Sequence, residues 1–202
     1  MAPVRLGVLV SGTGTILEAI FEHGIDVALV AADRDCRGLE IARQHGVEAV
    51  LVDRAAFGGF SKSFDREGYT TTLSQLLTAR SLELVAMSGF GTIATNTLHQ
   101  ALPDRILNTH PSLLPLHKGW HAVRLALQDG SRESGCTVHV ATLTLDEGPI
   151  LAQRSVPILA DDSEESLHER IKNVERDLYP LVIEAAIVAL EKGRPLRSVR
   201  VP

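Results

Sequence analysis

Continuous apolar runs alternate with segments of helical periodicity through the first half of the chain. The apolar runs predict buried strands over 6–10, 27–32, 49–52, 82–87 and 105–109. Between them, apolar side chains recur every three or four positions and predict helices over 16–22, 39–45 and 69–82. This alternation is typical of an α/β fold with a mostly parallel, doubly wound (Rossmann-like) sheet and helices on both faces.

The pattern changes after residue 130. Residues 136–144 alternate loosely between apolar and polar side chains, and 150–158 form a second strand-like stretch. The turn residues at 146–149, DEGP, separate the two stretches. We therefore expect a hairpin that extends the sheet as an antiparallel C-terminal extension.

A long helical region follows over 163–191 and begins with the capping sequence SEES. Pro180 lies inside this region, and proline removes one helical hydrogen bond, so we expect a kink or a break there. The sequence contains no internal repeat, low-complexity tract or linker. It therefore predicts a single domain over 1–202.

Composition narrows the class of protein. The chain is 45% hydrophobic but only 4% aromatic, which indicates a core of Val, Leu, Ile and Ala. The net charge is −5 and no Lys/Arg block is present, so we expect no nucleic-acid partner. The N-terminal apolar run is too short for a membrane span, and the two cysteines, Cys36 and Cys136, form no metal-ligand pair. These features predict a cytoplasmic protein with reduced thiols and no membrane contact.

The densest chemical feature is the sequence NTHPSLLP at 108–115, where the fifth predicted strand ends. Alternation along a strand places Asn108 and His110 on the same face. An amide can donate a hydrogen bond to a developing oxyanion while an imidazole beside it transfers a proton. An isolated pair of this kind would more often cap a strand, but the whole octapeptide at a strand end favours catalysis.

A second feature is the sequence SGTG at 11–14, directly after the first predicted strand. Gly12 and Gly14 lie where a helix begins, and free N–H groups at a helix N-terminus favour a phosphate. Position 17 is Leu, so the dinucleotide fingerprint G-x-G-x-x-G is incomplete. Asp33 could still act as a ribose-binding acid, which leaves a dinucleotide-dependent oxidoreductase as one alternative and a non-catalytic binding module as another.

These pieces, taken in order along nearly the whole chain, resemble the folate-dependent formyltransferases. The motifs that carry the resemblance are SGTG at 11–14, SGF at 88–90, NTHPSLLP at 108–115, CTVH at 136–139, LDEGPI at 145–150 and VERDLYP at 174–180. Each motif is weak alone, and their shared order makes the resemblance specific.

The resemblance implies a formyltransferase fold with a nucleotide- and phosphate-binding half over 1–109 and a folate-binding and catalytic half over 110–202. It also implies transfer of the formyl group of 10-formyltetrahydrofolate to the amine of glycinamide ribonucleotide, in de novo purine biosynthesis. The amine would attack directly, with no metal. The partners would then be small molecules, and the protein a monomer or homodimer.

The resemblance further assigns roles to individual residues. The catalytic group would be Asn108, His110 and Asp146. The residues that would bind the ribonucleotide substrate are Gly12, Gly14, Thr15, Ile16 and Glu175. The residues that would bind the folate are Arg66, Gly91, Thr92, Ile93, Ala94, Asn108, Thr142 and Asp146.

Three segments depart from the family's usual sequence. The phosphate loop usually continues Gly-Ser-Asn, and here it continues GTI at 14–16. The segment after Gly-Phe is often Met-Arg-Ile-Leu, and here it is GTIA at 91–94; LHKG at 116–119 replaces a more usual Lys-aromatic-Pro-Gly loop. Because these segments surround the substrates, two alternatives remain: formylation of another amine, such as an amino sugar or specialised metabolite, or hydrolysis of 10-formyltetrahydrofolate.

Overall fold

The computed structural model describes residues 3–201, which contain seven strands and six α-helices. The strands are β1 Leu6–Val10, β2 Val27–Ala32, β3 Glu48–Leu51, β4 Leu84–Ser88, β5 Ile106–His110, β6 Glu133–Val140 and β7 Ile150–Pro157. The helices are α1 Thr15–Glu22, α2 Arg37–Gln44, α3 Arg66–Ala79, α4 Asn96–Ala101, α5 Ala122–Gln128 and α6 Glu164–Glu191. Short 3₁₀ turns lie at Arg54–Phe57 and Leu196–Ser198.

The strands form a mixed sheet in the order β3-β2-β1-β4-β5-β6-β7. β1 pairs in parallel with β2 and with β4, and β2 pairs in parallel with β3. β6 runs antiparallel to both β5 and β7. The predicted fold class, a mostly parallel α/β sheet with an antiparallel C-terminal extension, is confirmed.

The chain divides into two compact units, Met1–Ile106 and Leu107–Pro202. In the first unit, every residue of β1 is buried, because the strand lies between β2 and β4 and beneath helices. The chain leaves β1 towards β2 on one side and returns to β4 on the other, so β1 and β4 flank a topological switch point. Ligands of open α/β sheets bind in the crevice beyond the carboxyl ends of such strands.

In the second unit, β6 and β7 form the predicted antiparallel hairpin, and α6 packs against both strands. Ser163 caps α6 through a reciprocal pair of hydrogen bonds with Ser166, the capping box indicated by the sequence. The face of α6 that packs on the strands is apolar and includes the fully buried side chains Leu167, Ile171, Leu178, Val182 and Ile183.

The helix is not broken at Pro180, and the kink that the sequence also allowed stays a prediction. α6 runs without interruption from Glu164 to Glu191, with Pro180 inside it. Proline removes one backbone hydrogen-bond donor, and the other backbone hydrogen bonds of the 28-residue helix keep it continuous. The buried side chains on either side of Pro180, Tyr179 and Val182, continue the same packed face.

Two short helices, α4 and α5, were not anticipated. Each has six or seven residues, too few for apolar periodicity to distinguish it from a loop.

No helix within the described part of the chain is long and apolar enough to cross a membrane.

Candidate active site

Strand β5 presents Asn108 and His110 two positions apart, and therefore on one face of the sheet. Its antiparallel partner β6 sets His139 opposite Asn108 and Thr137 opposite His110. Asn108 is half-buried and His110 is buried. The register thus places two imidazoles and one carboxamide in adjacent positions of the second unit.

His110 lies against the carboxylate of Asp146, with 3.4 Å between His110 Nδ1 and Asp146 Oδ2. The other ring nitrogen, Nε2, lies 2.8 Å from the carbonyl oxygen of His117. A carboxylate and a carbonyl can only accept hydrogen bonds, so the two partners together match the donors of an imidazolium. The arrangement is therefore compatible with both the imidazolium and the neutral imidazole form of His110.

Asp146 reaches this position from the turn between β6 and β7. Its backbone has φ 57°, in the left-handed region that Asp tolerates better than most side chains. The turn also requires Gly148, because a Cβ there would lie 1.7 Å from the carbonyl oxygen of Val140. Asp146 Oδ2 accepts a hydrogen bond from the backbone N–H of Gly119 at 2.9 Å, which fixes the carboxylate orientation.

His139 is the second buried imidazole of the site. Its Nδ1 lies 3.0 Å from the carbonyl oxygen of Val140, and its Nε2 lies 3.2 Å from Asn108 Nδ2. The pattern fits a neutral ring that donates from Nδ1 and accepts at Nε2, and burial lowers the pKa of His139. Asn108 uses one amide hydrogen for this contact, and its Nδ2 carries a second.

His117 contributes through its backbone, a role that the sequence did not indicate. Its side chain is paired with Asp129, and hydrogen bonds from Ser131 and His117 hold the pKa of the Asp129 carboxyl at about 2. The carbonyl of His117 then faces His110 Nε2. A backbone acceptor in a loop has no residue-type signature, so only the folded chain reveals it.

The loop after β5 is held by polar side chains of the hairpin. Thr137 Oγ1 donates to the carbonyl of Ser112 at 2.6 Å and accepts from the backbone N–H of Leu114 at 3.1 Å. Gln153 Nε2 donates to the carbonyl of Leu114 at 2.9 Å. These bonds keep the segment that follows His110 in one conformation.

A cavity of about 310 Å³ opens beside Asp146 in the second unit. Its lining residues are Leu114, Pro115, Lys118, Asp146, Glu147, Gly148 and Ile150. Thr142 lies in the loop after β6, where its hydroxyl donates to the carbonyl of Thr144 at 3.0 Å. The cavity gives a small molecule access to one side of the Asp146 carboxylate.

Glu175 projects from α6 to the hydroxyl of Thr109, which donates a hydrogen bond to Glu175 Oε1. Burial raises the pKa of the Glu175 carboxyl, and the Thr109 hydroxyl opposes that effect. A half-buried carboxylate with one donor retains free acceptor positions for ligand hydroxyls.

In the first unit, the residues proposed for the phosphate surround the N-terminus of α1. Gly14 is the N-cap with φ 76°, and a Cβ there would lie 2.6 Å from Ile41 Cδ1. Gly12 is exposed, Thr15 is half-buried as the first helical residue, and Ile16 is buried in the core. The backbone N–H groups at this helix start are therefore available to an anion, while Ile16 offers no polar side-chain atom.

The segment 91–94 meets the phosphate loop at the switch point of the first unit. The backbone N–H of Gly91 donates to Ser11 Oγ at 2.7 Å. Thr92 is buried, and Ile93 and Ala94 are half-buried in the non-helical stretch before α4. Arg66 is exposed at the start of α3, with its guanidinium 5.8 Å from the centre of the Phe64 ring.

Asp33 does not present its carboxylate to a ligand. The side chain is fully buried and accepts hydrogen bonds from Thr92 Oγ1 at 2.8 Å and from Arg34 Nε at 3.1 Å. A ribose-binding acid needs open acceptor positions, so the geometry gives no support to the dinucleotide alternative.

Among the described residues, no group of three His, Cys, Asp or Glu side chains could hold a metal ion. Both cysteines are free thiols, Cys136 buried and Cys36 half-buried, and burial raises the pKa of Cys136 well above its usual range.

An open α/β sheet with a phosphate-type helix start, and an amide, an imidazole and a carboxylate at one strand end, defines a class of group-transfer enzyme. A family model described as "Formyl transferase" matches residues 4–183. The chain belongs to this formyl transferase family.

Two relatives carry the name phosphoribosylglycinamide formyltransferase. The protein from Mycobacterium tuberculosis is 39% identical over 194 residues, covering 94% of this chain and 86% of the relative. The protein from Escherichia coli is 36% identical over 187 residues, covering 89% of this chain and 85% of the relative.

A solved structure is also similar to this chain. Glycinamide ribonucleotide transformylase 1 from Symbiobacterium toebii has a TM-score of 0.85 and 40% sequence identity to this chain. The similarity covers 93% of this chain and 89% of that one.

Proposed function

We propose that this protein transfers the formyl group of 10-formyltetrahydrofolate to the amine of glycinamide ribonucleotide, a step of de novo purine biosynthesis. The observation that carries the proposal is the buried His110–Asp146 pair beside Asn108, in a chain that is 39% identical to a phosphoribosylglycinamide formyltransferase. The protein is then a folate-dependent formyltransferase that uses the folate as a co-substrate.

The three side chains divide the chemistry of transfer between them. The substrate amine forms a bond to the formyl carbon, and the former carbonyl oxygen becomes an oxyanion. Asn108 donates its amide hydrogen to that oxygen. The oxyanion then collapses, the bond to the folate nitrogen breaks, and the departing nitrogen needs one proton. His110 supplies it and regains a proton from the attacking amine, so that the proton count balances.

Asp146 orients the His110 ring. The 3.4 Å separation places a negative charge beside Nδ1, and both side chains are shielded from water, at 7% and 3% exposure. An ion pair in such surroundings is screened less than one on the surface. The bond from the Gly119 N–H keeps the carboxylate from turning away.

The substrates would be held by separate groups. The free N–H groups at the start of α1, from Gly12 to Thr15, fit the phosphate of the ribonucleotide. Glu175 fits its ribose hydroxyls, since a carboxylate can accept from two of them. The folate would use the backbone of 91–94, with Arg66, Asn108, Thr142 and Asp146.

The departures at 14–16, 91–94 and 116–119 motivate the alternatives, another amine acceptor or water. The names of the relatives favour glycinamide ribonucleotide over both. Backbone N–H groups bind a phosphate whatever the side chains are, so the replacement by Ile16 removes one polar contact and leaves the anion site. We place the reaction in the cytoplasm and expect a monomer or homodimer, to be checked by light scattering.

The test is product analysis with the purified full chain, 10-formyltetrahydrofolate and glycinamide ribonucleotide. Mass spectrometry should show formylated ribonucleotide and tetrahydrofolate in equal amounts. An omitted-acceptor reaction measures hydrolysis, and a panel of amino sugars measures the other alternative. Loss of the formyl group as formate at the same rate with and without the amine would establish a hydrolase instead.

A further inference from the structure

The buried carboxylate of Asp33 lies at the centre of a polar network in the first unit that formyl-transfer chemistry does not use. Asp33 Oδ2 accepts from Thr92 Oγ1 at 2.8 Å, and Asp33 Oδ1 accepts from Arg34 Nε at 3.1 Å. Asp33 is fully buried and Thr92 is 3% exposed. A charged group withdrawn from water in this way is retained only when its partners satisfy it, so the network is a built feature of this chain.

Arg54 completes the network from the opposite side. Its Nη1 donates to Thr92 Oγ1 at 2.8 Å and lies 3.5 Å from the carbonyl oxygen of Gly91. The Thr92 hydroxyl therefore accepts from a cation and donates to an anion at the same time. Both hydrogen bonds constrain the rotation of the Thr92 side chain. The hydroxyl, and the backbone that carries it, are therefore held in one orientation.

The guanidinium of Arg54 is itself held in place. Its carbon lies 4.1 Å from the centre of the Phe60 ring and 3.9 Å from the centre of the Phe64 ring. Its Nε donates to the carbonyl of Gly59 at 2.8 Å, and its backbone N–H donates to the carbonyl of Asp33 at 2.8 Å. Stacking between two rings removes the freedom that a long side chain otherwise has.

The segment that this network holds is 91–94, with the sequence GTIA. Gly91 is anchored a second time, through its N–H to Ser11 Oγ. A segment that binds a ligand through its backbone needs that backbone fixed in advance, since ordering it on binding lowers affinity. Thr92 thus couples the segment to a cation that comes from a distant part of the chain.

We propose that Asp33 and Arg54 are positioning residues that fix 91–94 through the Thr92 hydroxyl, and that they set the affinity for the folate and leave the formyl-transfer step unchanged. This inference rests on the proposed function, because it takes 91–94 as folate-binding. It assigns neither residue a contact with the reacting atoms.

The experiment compares Thr92→Val, which removes the hydroxyl at constant shape, with Thr92→Ser, which keeps it. Thr97→Val is the matched control, since it removes a hydroxyl of the same unit that donates to the exposed Glu67. The dissociation constant of 10-formyltetrahydrofolate is measured by calorimetry on the free protein. KM for each substrate and kcat are measured separately, and circular dichroism reports folding.

Thr92→Val should weaken folate binding about tenfold or more, as expected from a lost hydrogen bond between partly charged groups. Thr92→Ser and Thr97→Val should stay within about twofold of the unchanged protein, a difference too small to count as one hydrogen bond. In Thr92→Val the loss of folate affinity should exceed any change in kcat at saturating folate. Arg54→Lys, which keeps the positive charge, and Asp33→Asn, which keeps the shape of the side chain, should weaken folate binding in the same direction and serve if Thr92→Val does not fold.

Folate affinity that is equal in the Val and Ser variants would overturn the inference, and so would a fall in kcat with no change in folate affinity. The binding measurement needs no amine acceptor. If the protein binds folate but does not formylate glycinamide ribonucleotide, the proposed acceptor fails while the result on Thr92 still stands.

Discussion

His110 Nδ1 lies 3.4 Å from Asp146 Oδ2, and both side chains are buried. The two residues come from different elements, β5 and the turn between β6 and β7, and are brought together by the antiparallel pairing of β5 with β6.

Replacing Asp146 by Asn should lower kcat for formyl transfer about a hundredfold to ten-thousandfold, the range that correct proton transfer contributes. The amide keeps the shape of the side chain but removes the negative charge beside His110 Nδ1. Steady-state assays with both substrates measure the effect. Asp161→Asn, at an exposed aspartate after β7, should behave like the unchanged protein. A kcat within about threefold of normal, well below any general acid–base contribution, would exclude the proposed role of Asp146.

Replacing Glu175 by Gln should stabilise the protein at neutral pH while weakening ribonucleotide binding. Burial raises the pKa of Glu175, so the folded state disfavours the ionised form, and that form dominates above pH 4.5 in the unfolded chain. The contribution of Glu175 to the free energy of unfolding is therefore most favourable below pH 4.5. It is lost as the pH rises through the pKa that Glu175 has in the folded protein. A neutral amide removes this loss and still accepts from Thr109.

Thermal unfolding of Glu175→Gln at pH 7.5 should show a higher Tm, by about 2–4 °C for each kcal/mol recovered. KM for the ribonucleotide should rise, because an amide accepts ribose hydroxyls less well than a carboxylate. Glu184→Gln, at an exposed position of the same helix, is the control. A lower Tm would show that the charge of Glu175 stabilises the fold.

Replacing Gly14 by Ala should lower both stability and ribonucleotide affinity. The backbone there has φ 76°, and the added Cβ would lie 2.6 Å from Ile41 Cδ1 and 3.0 Å from Gly38 Cα. Gly24→Ala is a matched control, since its φ is 73° and nothing lies within 4 Å of its added Cβ. Both variants carry the backbone strain of about 1–2 kcal/mol, and only the first crowds the helix start.

The measurements for Gly14→Ala are the urea midpoint and KM for the ribonucleotide. Gly24→Ala should lower the midpoint alone, while Gly14→Ala should also raise KM about tenfold, as for a poorly seated anion. If the two variants had the same KM, the helix start would not be the phosphate site.

The pH dependence of stability should include a contribution from His139. Burial lowers its pKa from 6.5, so below pH 6.5 the unfolded chain binds a proton that the folded protein resists. The contribution of His139 to the free energy of unfolding should therefore rise with pH up to about 6.5 and become level above it, with a slope of at most about 1.4 kcal/mol per pH unit for one proton.

Urea unfolding from pH 5 to pH 8 compares the unchanged protein with His139→Gln, which should have a shallower slope at the acid end. His99 and His168 have pKa values lowered in the same direction, so part of the slope should remain. An identical slope in His139→Gln would contradict the lowered pKa of His139.

The strands of the first unit could be predicted from sequence to within one or two residues, since buried parallel strands appear as continuous apolar runs. Leu6–Val10 and Val27–Ala32 have the predicted bounds. Local rules failed where tertiary packing decided the outcome. The helix continues through Pro180 because the flanking side chains are packed, and α4 and α5 are too short to carry a period.

Part of the candidate site could be predicted from the sequence for a similar reason. Asn108 and His110 are two positions apart on one strand, so alternation alone places them together. The contacts of Asp33 with Thr92 and of Arg54 with Thr92 span 59 and 38 positions and follow no short motif. The acceptor role of the His117 backbone is independent of residue type. Contacts of these kinds depend on the folded chain and leave no local trace in the sequence.

In the proposed mechanism His110 moves the proton during formyl transfer to glycinamide ribonucleotide. Its most direct test is the single-turnover rate of formylated ribonucleotide formation at saturating concentrations of both substrates, for the unchanged protein and His110→Gln. The rate should fall at least about a hundredfold, the lower limit for a lost general acid–base group, with folate affinity retained. The exposed His121→Gln should react at the normal rate. A normal single-turnover rate in folded His110→Gln would exclude His110 as the group that moves the proton.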